Sequence, residues 1–472
     1  MVTGLKPGTS LPLSTGSVGV VEFSDLLANG QAVGRFDGMV VFVDGPLPGE
    51  RARIRLTEVK AKYAVGELLE RETTSPDRAE PFCPVFGECG GCQVQHLAYP
   101  AQLAWKHRIV ADALVRIGGF SDITVREPIG MDVPRGYRNK MALVVHPSTS
   151  LRTGSPESVF GFYRARSHDL VPIDHCPIVL EPLDAAIGGL IEAARDPETA
   201  AAFPAVNHVV MRAGLTSPNS VLSLTTDTKS PAIAAAAAQI AERIPGVGGI
   251  SNSYEPANAN AVIGRRMDFV WGKREMEETI EDVRFRVSPA SFFQINGAMV
   301  ASIFRTLAPL IVGTPRIVDL YCGAGTFAIY FASRGASVVG IEENGSAVTE
   351  ARGNARLNKV DERVRFVQGR VEGALANEDG RKALREAEIV FLDPPRKGSD
   401  EATLAALADA NVPAIWYLSC NPATLARDLR YLAGRGYRIG TVQPFDMFPQ
   451  TGHVETLVTL ERSADPARRE RF

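Results

Sequence analysis

The residues able to do chemistry stand where apolar runs stop. Leu418-Ser419-Cys420-Asn421-Pro422 puts a thiol just after one such run, and Asp393-Pro394-Pro395-Arg396 puts a carboxylate and a stiff turn after another. Asp319-Leu320-Tyr321 runs into Cys322-Gly323-Ala324-Gly325-Thr326-Phe327, a glycine turn that lets a nucleotide-like ligand approach the backbone at a helix start. Near the C-terminus, Phe448-Pro449-Gln450-Thr451-Gly452-His453-Val454-Glu455 offers a second carboxylate with a histidine nearby. A thiol with a carboxylate beside it can form a covalent adduct and then remove a proton from it.

The glycine turn satisfies the loose dinucleotide pattern, and Glu342 at the end of the next strand suits the ribose hydroxyls of NAD or of S-adenosylmethionine. Asp393-Pro394-Pro395 at the sheet's carboxyl edge, with the acidic Asp319 ahead of the turn, favours S-adenosylmethionine. In that company Cys420 has a use. Carbon 5 of uracil is a poor nucleophile, and a thiolate added to carbon 6 makes an enolate able to attack a methylsulfonium. A lone buried cysteine is otherwise an inert packing residue, and Cys322, inside the glycine turn, is read that way. Cys83-x5-Cys89-x2-Cys92, with Cys176 in His175-Cys176-Pro177, offers four thiolates for an iron-sulfur cluster or a structural zinc. Spacing does not choose between them.

These residues need elements to place them. From about 290 onward, short apolar strands at Ile317–Leu320, Ser337–Ile341, Val364–Val367, Ile389–Leu392 and Ala414–Leu418 alternate with helical segments, which predicts a doubly wound parallel sheet. Residues 17 to 71 predict five strands and a small barrel, punctuated by Asp37-Gly38 and Pro46-Leu47-Pro48-Gly49. Arg51, Arg53, Arg55, Lys60 and Lys62 put positive charge on its later strands, which suits oligonucleotide binding or simply a solvated face. A helix is expected around Pro100 to Gly118. Residues 124 to 285 mix strands with an Ala-rich helix at Ala232 to Arg243 and read as a substrate-docking region with a mobile loop at 147 to 157.

Length and composition set outer bounds. At 472 residues the chain should form two to four domains. A net charge of -3 excludes a uniformly basic nucleic-acid coat and leaves RNA affinity to local patches. No segment approaches the roughly 18 uninterrupted apolar residues of a membrane span. The first residues lack a secretory pattern, so a cytoplasmic location is expected.

Taken together, these features resemble the RNA uracil-5-methyltransferase family, in particular its members with an N-terminal TRAM barrel and an iron-sulfur cluster that act on 23S ribosomal RNA. The resemblance runs through the barrel, the cysteine cluster, Tyr137-Arg138-Asn139-Lys140, Ser291-Phe292-Phe293-Gln294-Ile295-Asn296, Asp319-Leu320-Tyr321-Cys322-Gly323, Asp393-Pro394-Pro395-Arg396, Ser419-Cys420-Asn421-Pro422 and Gly452-His453-Val454-Glu455-Thr456. It implies that Gln294, Tyr321, Glu342 and Asp393 hold S-adenosylmethionine, that Cys420 is the nucleophile and that Glu455 is the proton acceptor. It further implies that Cys83, Cys89, Cys92 and Cys176 ligate a [4Fe-4S] cluster.

The expected architecture is therefore an OB-like barrel (10–72), a central α+β domain with the cluster (73–285), a Rossmann-like α/β catalytic domain (286–464) and a tail (465–472). The expected partner is RNA, ribosomal before transfer RNA, bound by a monomer. A non-catalytic RNA-binding scaffold would need neither Cys420 nor Glu455. An amino-methyltransferase would normally carry an aromatic residue where Arg396 follows the two prolines. Gly369-Arg370 after the third strand and Thr326 in the glycine turn depart from the family pattern.

Overall fold

The computed structural model describes residues 13–148, 157–217, 219–258 and 261–463. The core of the loop expected at 147 to 157, and the tail, lie outside them. The chain divides into two compact units. One contains the residues up to Gly87 with Cys92–Trp105 and Gln450–Gly452; the other contains Glu88–Gly91, Lys106–Pro449 and the residues from His453.

The first unit is built on a closed barrel of β1 (Val18–Leu26), β2 (Ala32–Phe36), β3 (Met39–Val43), β4 (Arg51–Val59) and β5 (Tyr63–Arg71), in the order β1-β2-β3-β5-β4. Asp37 and Gly38 have φ of 47° and 86°, the left-handed pair that a two-residue hairpin turn requires between β2 and β3. Along β4, Ala52, Ile54 and Leu56 are buried and the intervening arginines face water. The arginines do not form an open positive stripe. Arg53 pairs with Glu70 and Arg55 with Glu67, each at 2.7 Å, while Arg51 stands 3.6 Å from Glu72.

In the second unit, β6 (Lys140–Ser148), β7 (Glu157–Tyr163), β8 (Leu170–Pro172), β9 (Val206–Ala213), β10 (Ser220–Thr226), β11 (Val247–Pro256) and β12 (Gly264–Gly272) form a sheet ordered β12-β11-β10-β9-β6-β7-β8. The Ala-rich helix covers Pro231–Arg243, started by Ser230, whose side chain accepts from Ile233 N–H. A hairpin, β13 (Met276–Ile280) and β14 (Val283–Val287), follows.

The second large sheet of this unit contains β15 (Arg316–Leu320), β16 (Ser337–Glu342), β17 (Val364–Gln368), β18 (Ile389–Leu392), β19 (Ala414–Ser419), β20 (Tyr437–Phe445) and β21 (Glu455–Arg462), ordered β17-β16-β15-β18-β19-β21-β20. The first five run parallel; β15, β18 and β19 are buried on both faces, whereas the edge strand β17 exposes Arg365 and Gln368. Ile317, Phe391, Trp416 and Leu418 belong to one apolar cluster, and Val318, Leu320, Val390, Ile415 and Tyr417 to another. The order reverses beside β15, which opens the crevice where such sheets bind ligands. β21 lies antiparallel between β19 and β20, an addition to the five expected strands. Among the described residues no helix is long and apolar enough to cross a membrane.

Candidate active site

The turn after β15 has an unusual backbone. Tyr321, Gly323 and Gly325 have φ of 64°, 55° and 85°, three left-handed residues within five positions, and the helix Thr326–Ser333 starts immediately after them. Glu342, ending β16, accepts the Gly323 N–H at 3.0 Å through Oε2 and the Asn344 N–H at 2.8 Å through Oε1. The carboxylate expected to meet a ribose thus also fixes the glycine turn. The Tyr321 hydroxyl lies 3.1 Å from Ser399 Oγ. Arg370, at the departure after β17, is exposed and paired with Glu372.

Asp393, directly after β18, accepts a hydrogen bond from Gln294 Nε2 at 3.0 Å. The two residues are 99 positions apart, and the structure brings them together as neighbours in one site. Asn139 secures the Gln294 segment, donating from N–H to Ile295 O at 2.8 Å and from Nδ2 to Gln294 O at 2.9 Å. Burial pushes the Asp393 carboxyl up to about 7, against the pull of the Gln294 hydrogen bond. Asp319, fully buried one strand away, is driven well above the usual carboxylate range by burial and then by Asp393. Cys322 packs behind the turn, and burial likewise holds its thiol protonated.

Cys420 and Glu455 meet through strand register. Ser419 on β19 is the partner of Thr456 on β21, so one step outward Cys420, just past the end of β19, faces Glu455, the first residue of β21, which pairs with Phe445 on its other side. Cys420 is half-buried and precedes Asn421, the cap of helix Pro422–Gly434. A helix start ordinarily favours a thiolate. Here burial, then Glu455 and Asp393, outweigh it and push the Cys420 thiol up to about 11, with Arg396 pulling the other way. Glu455 is buried, its Oε1 has no hydrogen-bond partner, and burial followed by Asp393 raises its carboxyl well above normal. One thiol and two carboxyls therefore share a pocket of poor solvation where the uncharged forms are favoured.

Arg396 joins the two loops. Its carbonyl accepts Asn421 Nδ2 at 3.0 Å, and its Nη2 lies 3.2 Å from His453 Nε2. Burial, then Arg396, Lys106 and Arg138, lower His453 to about 4, so at neutral pH it is an uncharged imidazole accepting from Arg396.

Local sequence gave no sign of what holds the segment between β20 and β21. Three successive carbonyls there are bound by side chains from distant parts of the unit. Asn296 Nδ2 reaches Met447 O at 3.1 Å, Lys106 Nζ reaches Phe448 O at 3.0 Å, and the Tyr137 hydroxyl reaches Pro449 O at 2.9 Å. Lys106 also forms a wholly buried ion pair with Asp446 at 2.5 Å, 340 residues away. Such a pair fixes position more than it adds stability.

The four remaining cysteines, Cys83, Cys89, Cys92 and Cys176, stand at half-buried positions. Cys83 and Cys92 belong to the first compact unit, Cys89 and Cys176 to the second. Among the described residues no group of three or more His, Cys, Asp or Glu side chains is arranged to hold a metal ion.

Comparison with known proteins identifies the setting of this site. Residues 263–463 match the family profile described as tRNA (Uracil-5-)-methyltransferase, and residues 12–69 match the TRAM domain. An uncharacterized RNA methyltransferase of Halalkalibacterium halodurans is 36% identical over 460 residues, covering 95% of this chain and 98% of that protein. The chain belongs to the RNA uracil-5-methyltransferase family. Another such relative, from Gloeobacter violaceus, is 36% identical over 472 residues, covering 97% of this chain and 99% of the relative. The crystal structure of Pyrococcus abyssi tRNA (uracil-54, C5)-methyltransferase in complex with S-adenosyl-L-homocysteine superposes with a TM-score of 0.72 at 27% identity, over 94% of this chain and 100% of that one. The barrel at the start of this RNA uracil-5-methyltransferase family member is thus a TRAM domain, and its α/β sheet has a methyltransferase fold.

Proposed function

We propose that this chain transfers a methyl group from S-adenosylmethionine to carbon 5 of a uridine in RNA through a covalent adduct on Cys420. The observation that carries the reading is the register of β19 and β21, which brings a thiol and a buried carboxylate, one of whose oxygens has no hydrogen-bond partner, together at the ligand-facing edge of the sheet. The glycine turn and the donor set beside it suit the methyl donor. Glu342 is an acceptor for ribose hydroxyls, Tyr321 borders the turn, and Gln294 with Asp393 offers an amide and a carboxylate to the amino-acid end. Bound there, S-adenosylmethionine supplies an electrophilic methyl group and a cationic centre.

Cys420, as its thiolate, adds to carbon 6 of the uracil, and the ring electrons move to carbon 5 and oxygen 4. Carbon 5 then takes the methyl group while the donor sulfur leaves with the electron pair of the broken bond. Glu455 accepts the remaining carbon 5 proton, the carbon 5 to carbon 6 double bond re-forms, and sulfur departs with its electrons. A cation bound beside Asp393 and Glu455 would favour their ionised forms and would draw the Cys420 thiol toward thiolate, against the opposing push of those two carboxylates. A stacked uracil is inaccessible, so the base is taken from a loop or flipped out.

Ribosomal RNA is the first candidate substrate, from the sequence resemblance. Transfer RNA is the second, supported by the names of the matching profile and of the archaeal neighbour. Mass spectrometry of 5-methyluridine in purified 23S rRNA and tRNA from cells with and without the gene decides between them. Loss confined to 23S rRNA is expected; loss confined to tRNA reverses the order, and no loss in either contradicts the activity.

The spacing of Cys83, Cys89 and Cys92 and the family likeness support a [4Fe-4S] cluster held with Cys176. No step above passes through it. Protein purified without oxygen is expected to contain iron and acid-labile sulfide in equal amounts, and Cys89→Ser to lose both. Zinc, or no metal at all, would count against the cluster.

A further inference from the structure

Lys140 on β6 stands directly opposite Arg212 on β9. Side chains at paired positions share one face of the sheet, and like charges so placed repel. Arg138, two residues before Lys140, adds a third cation, its Nε donating to Lys140 O at 2.9 Å. Arg212 is fully buried, its guanidinium 6.0 Å from the centre of the Phe293 ring, and gives one hydrogen bond from Nη2 to Ser291 O at 2.8 Å, while Nε and Nη1 have no hydrogen-bond partner. The carboxyl acting on Arg212 is Glu350, which the Ser288 and Ser291 hydroxyls engage and which burial raises toward its neutral form. Burial, then Arg212 and Arg138, press the Lys140 ammonium down to about 7. Buried donors left unsatisfied among clustered cations are costly unless an anion completes them.

The row lies beside the reaction centre. Asn139, between two of the cations, binds the backbone of the Gln294 segment, and Arg138 acts on the charge state of His453, two residues before Glu455. Lys140 and Arg138 retain partial exposure, and Arg212, the register partner of Lys140, is buried. We propose that Arg138, Lys140 and Arg212 form an anion site that holds a phosphodiester of the RNA next to the target uridine. A base presented to Cys420 has its own flanking phosphates within one nucleotide, and a pair of cations backed by a guanidinium is a geometry that grips a phosphate.

The inference rests on RNA being the substrate, and its test is separable from that of methyl transfer. Binding of 23S rRNA and tRNA transcripts is measured over a range of salt for the intact protein, Lys140→Gln, Arg138→Gln and Lys140→Arg, together with S-adenosylmethionine affinity. Each glutamine variant is expected to bind RNA about 10-fold more weakly. The slope of log affinity against log salt should fall by about one. Lys140→Arg should retain binding, and cofactor affinity should be unchanged throughout, which also reports that the variants are folded. Unchanged RNA affinity and slope in both glutamine variants overturns the proposal. So does a loss that falls on S-adenosylmethionine instead, since the site would then hold the cofactor's carboxylate. Failure of the parent protein to make 5-methyluridine, with the salt effect intact, would sink the catalytic reading and leave the phosphate site standing.

Discussion

Cys420→Ala is expected to abolish 5-methyluridine formation, with turnover falling by at least about 10^4-fold, the scale seen when a covalent nucleophile is removed. The loss should be purely chemical. Cys420 is half-buried and outside both apolar clusters, so stability should change by less than about 1 kcal/mol. Gln294, Glu342 and Asp393 hold one another or the glycine turn rather than the thiol, so S-adenosylmethionine should bind the variant as it binds the parent. Turnover assays on RNA with calorimetric titration of the cofactor check both halves. Residual methylation near the parent rate would mean that carbon 5 is activated without sulfur.

Glu455→Gln should fail at a different stage. Removing the carboxylate takes away the second-largest influence raising the Cys420 thiol, so adduct formation should be unimpaired or faster. Removal of the carbon 5 proton should be slowed by about 10^2- to 10^4-fold, the contribution of a positioned base. The methylated RNA should therefore remain attached to the protein, visible as a complex that survives denaturing electrophoresis with ordinary uridine RNA. A variant that releases product normally, or one that never forms the complex, would remove Glu455 from the role of base. The three carbonyl contacts from Asn296, Lys106 and Tyr137 explain how a residue at the start of β21 can be placed accurately enough for the task.

Much of this arrangement could be read from the chain because chemistry and strand ends coincide. Asp393 and Cys420 follow directly on apolar runs that can only be buried parallel strands, and Asp37-Gly38 announces its hairpin through the left-handed backbone it must adopt. The β20–β21 hairpin was not expected. β20 contains Gly440 and a register break between Ile439 and Val442, which blur the alternation that marks a strand. Gln294 carries no local sign of its place, and its role came from family resemblance alone. Lys106 with Asp446, and Lys140 with Arg212, are pairs set by tertiary register, invisible to any window of neighbouring residues. The same limit applied to the barrel, where Arg53 and Arg55 suggested a binding stripe until the pairing of β4 with β5 brought Glu70 and Glu67 beside them.

The bond from Cys420 sulfur to carbon 6 is the step on which the reading stands, and 5-fluorouridine isolates it because fluorine at carbon 5 cannot leave as a cation. Folded, S-adenosylmethionine-loaded protein should be incubated with 5-fluorouridine-substituted substrate RNA, digested and sequenced by mass spectrometry. A methylated fluoropyrimidine attached to the peptide containing Cys420 is the predicted result. Turnover on ordinary RNA with no such attachment, or attachment at another cysteine, would contradict it.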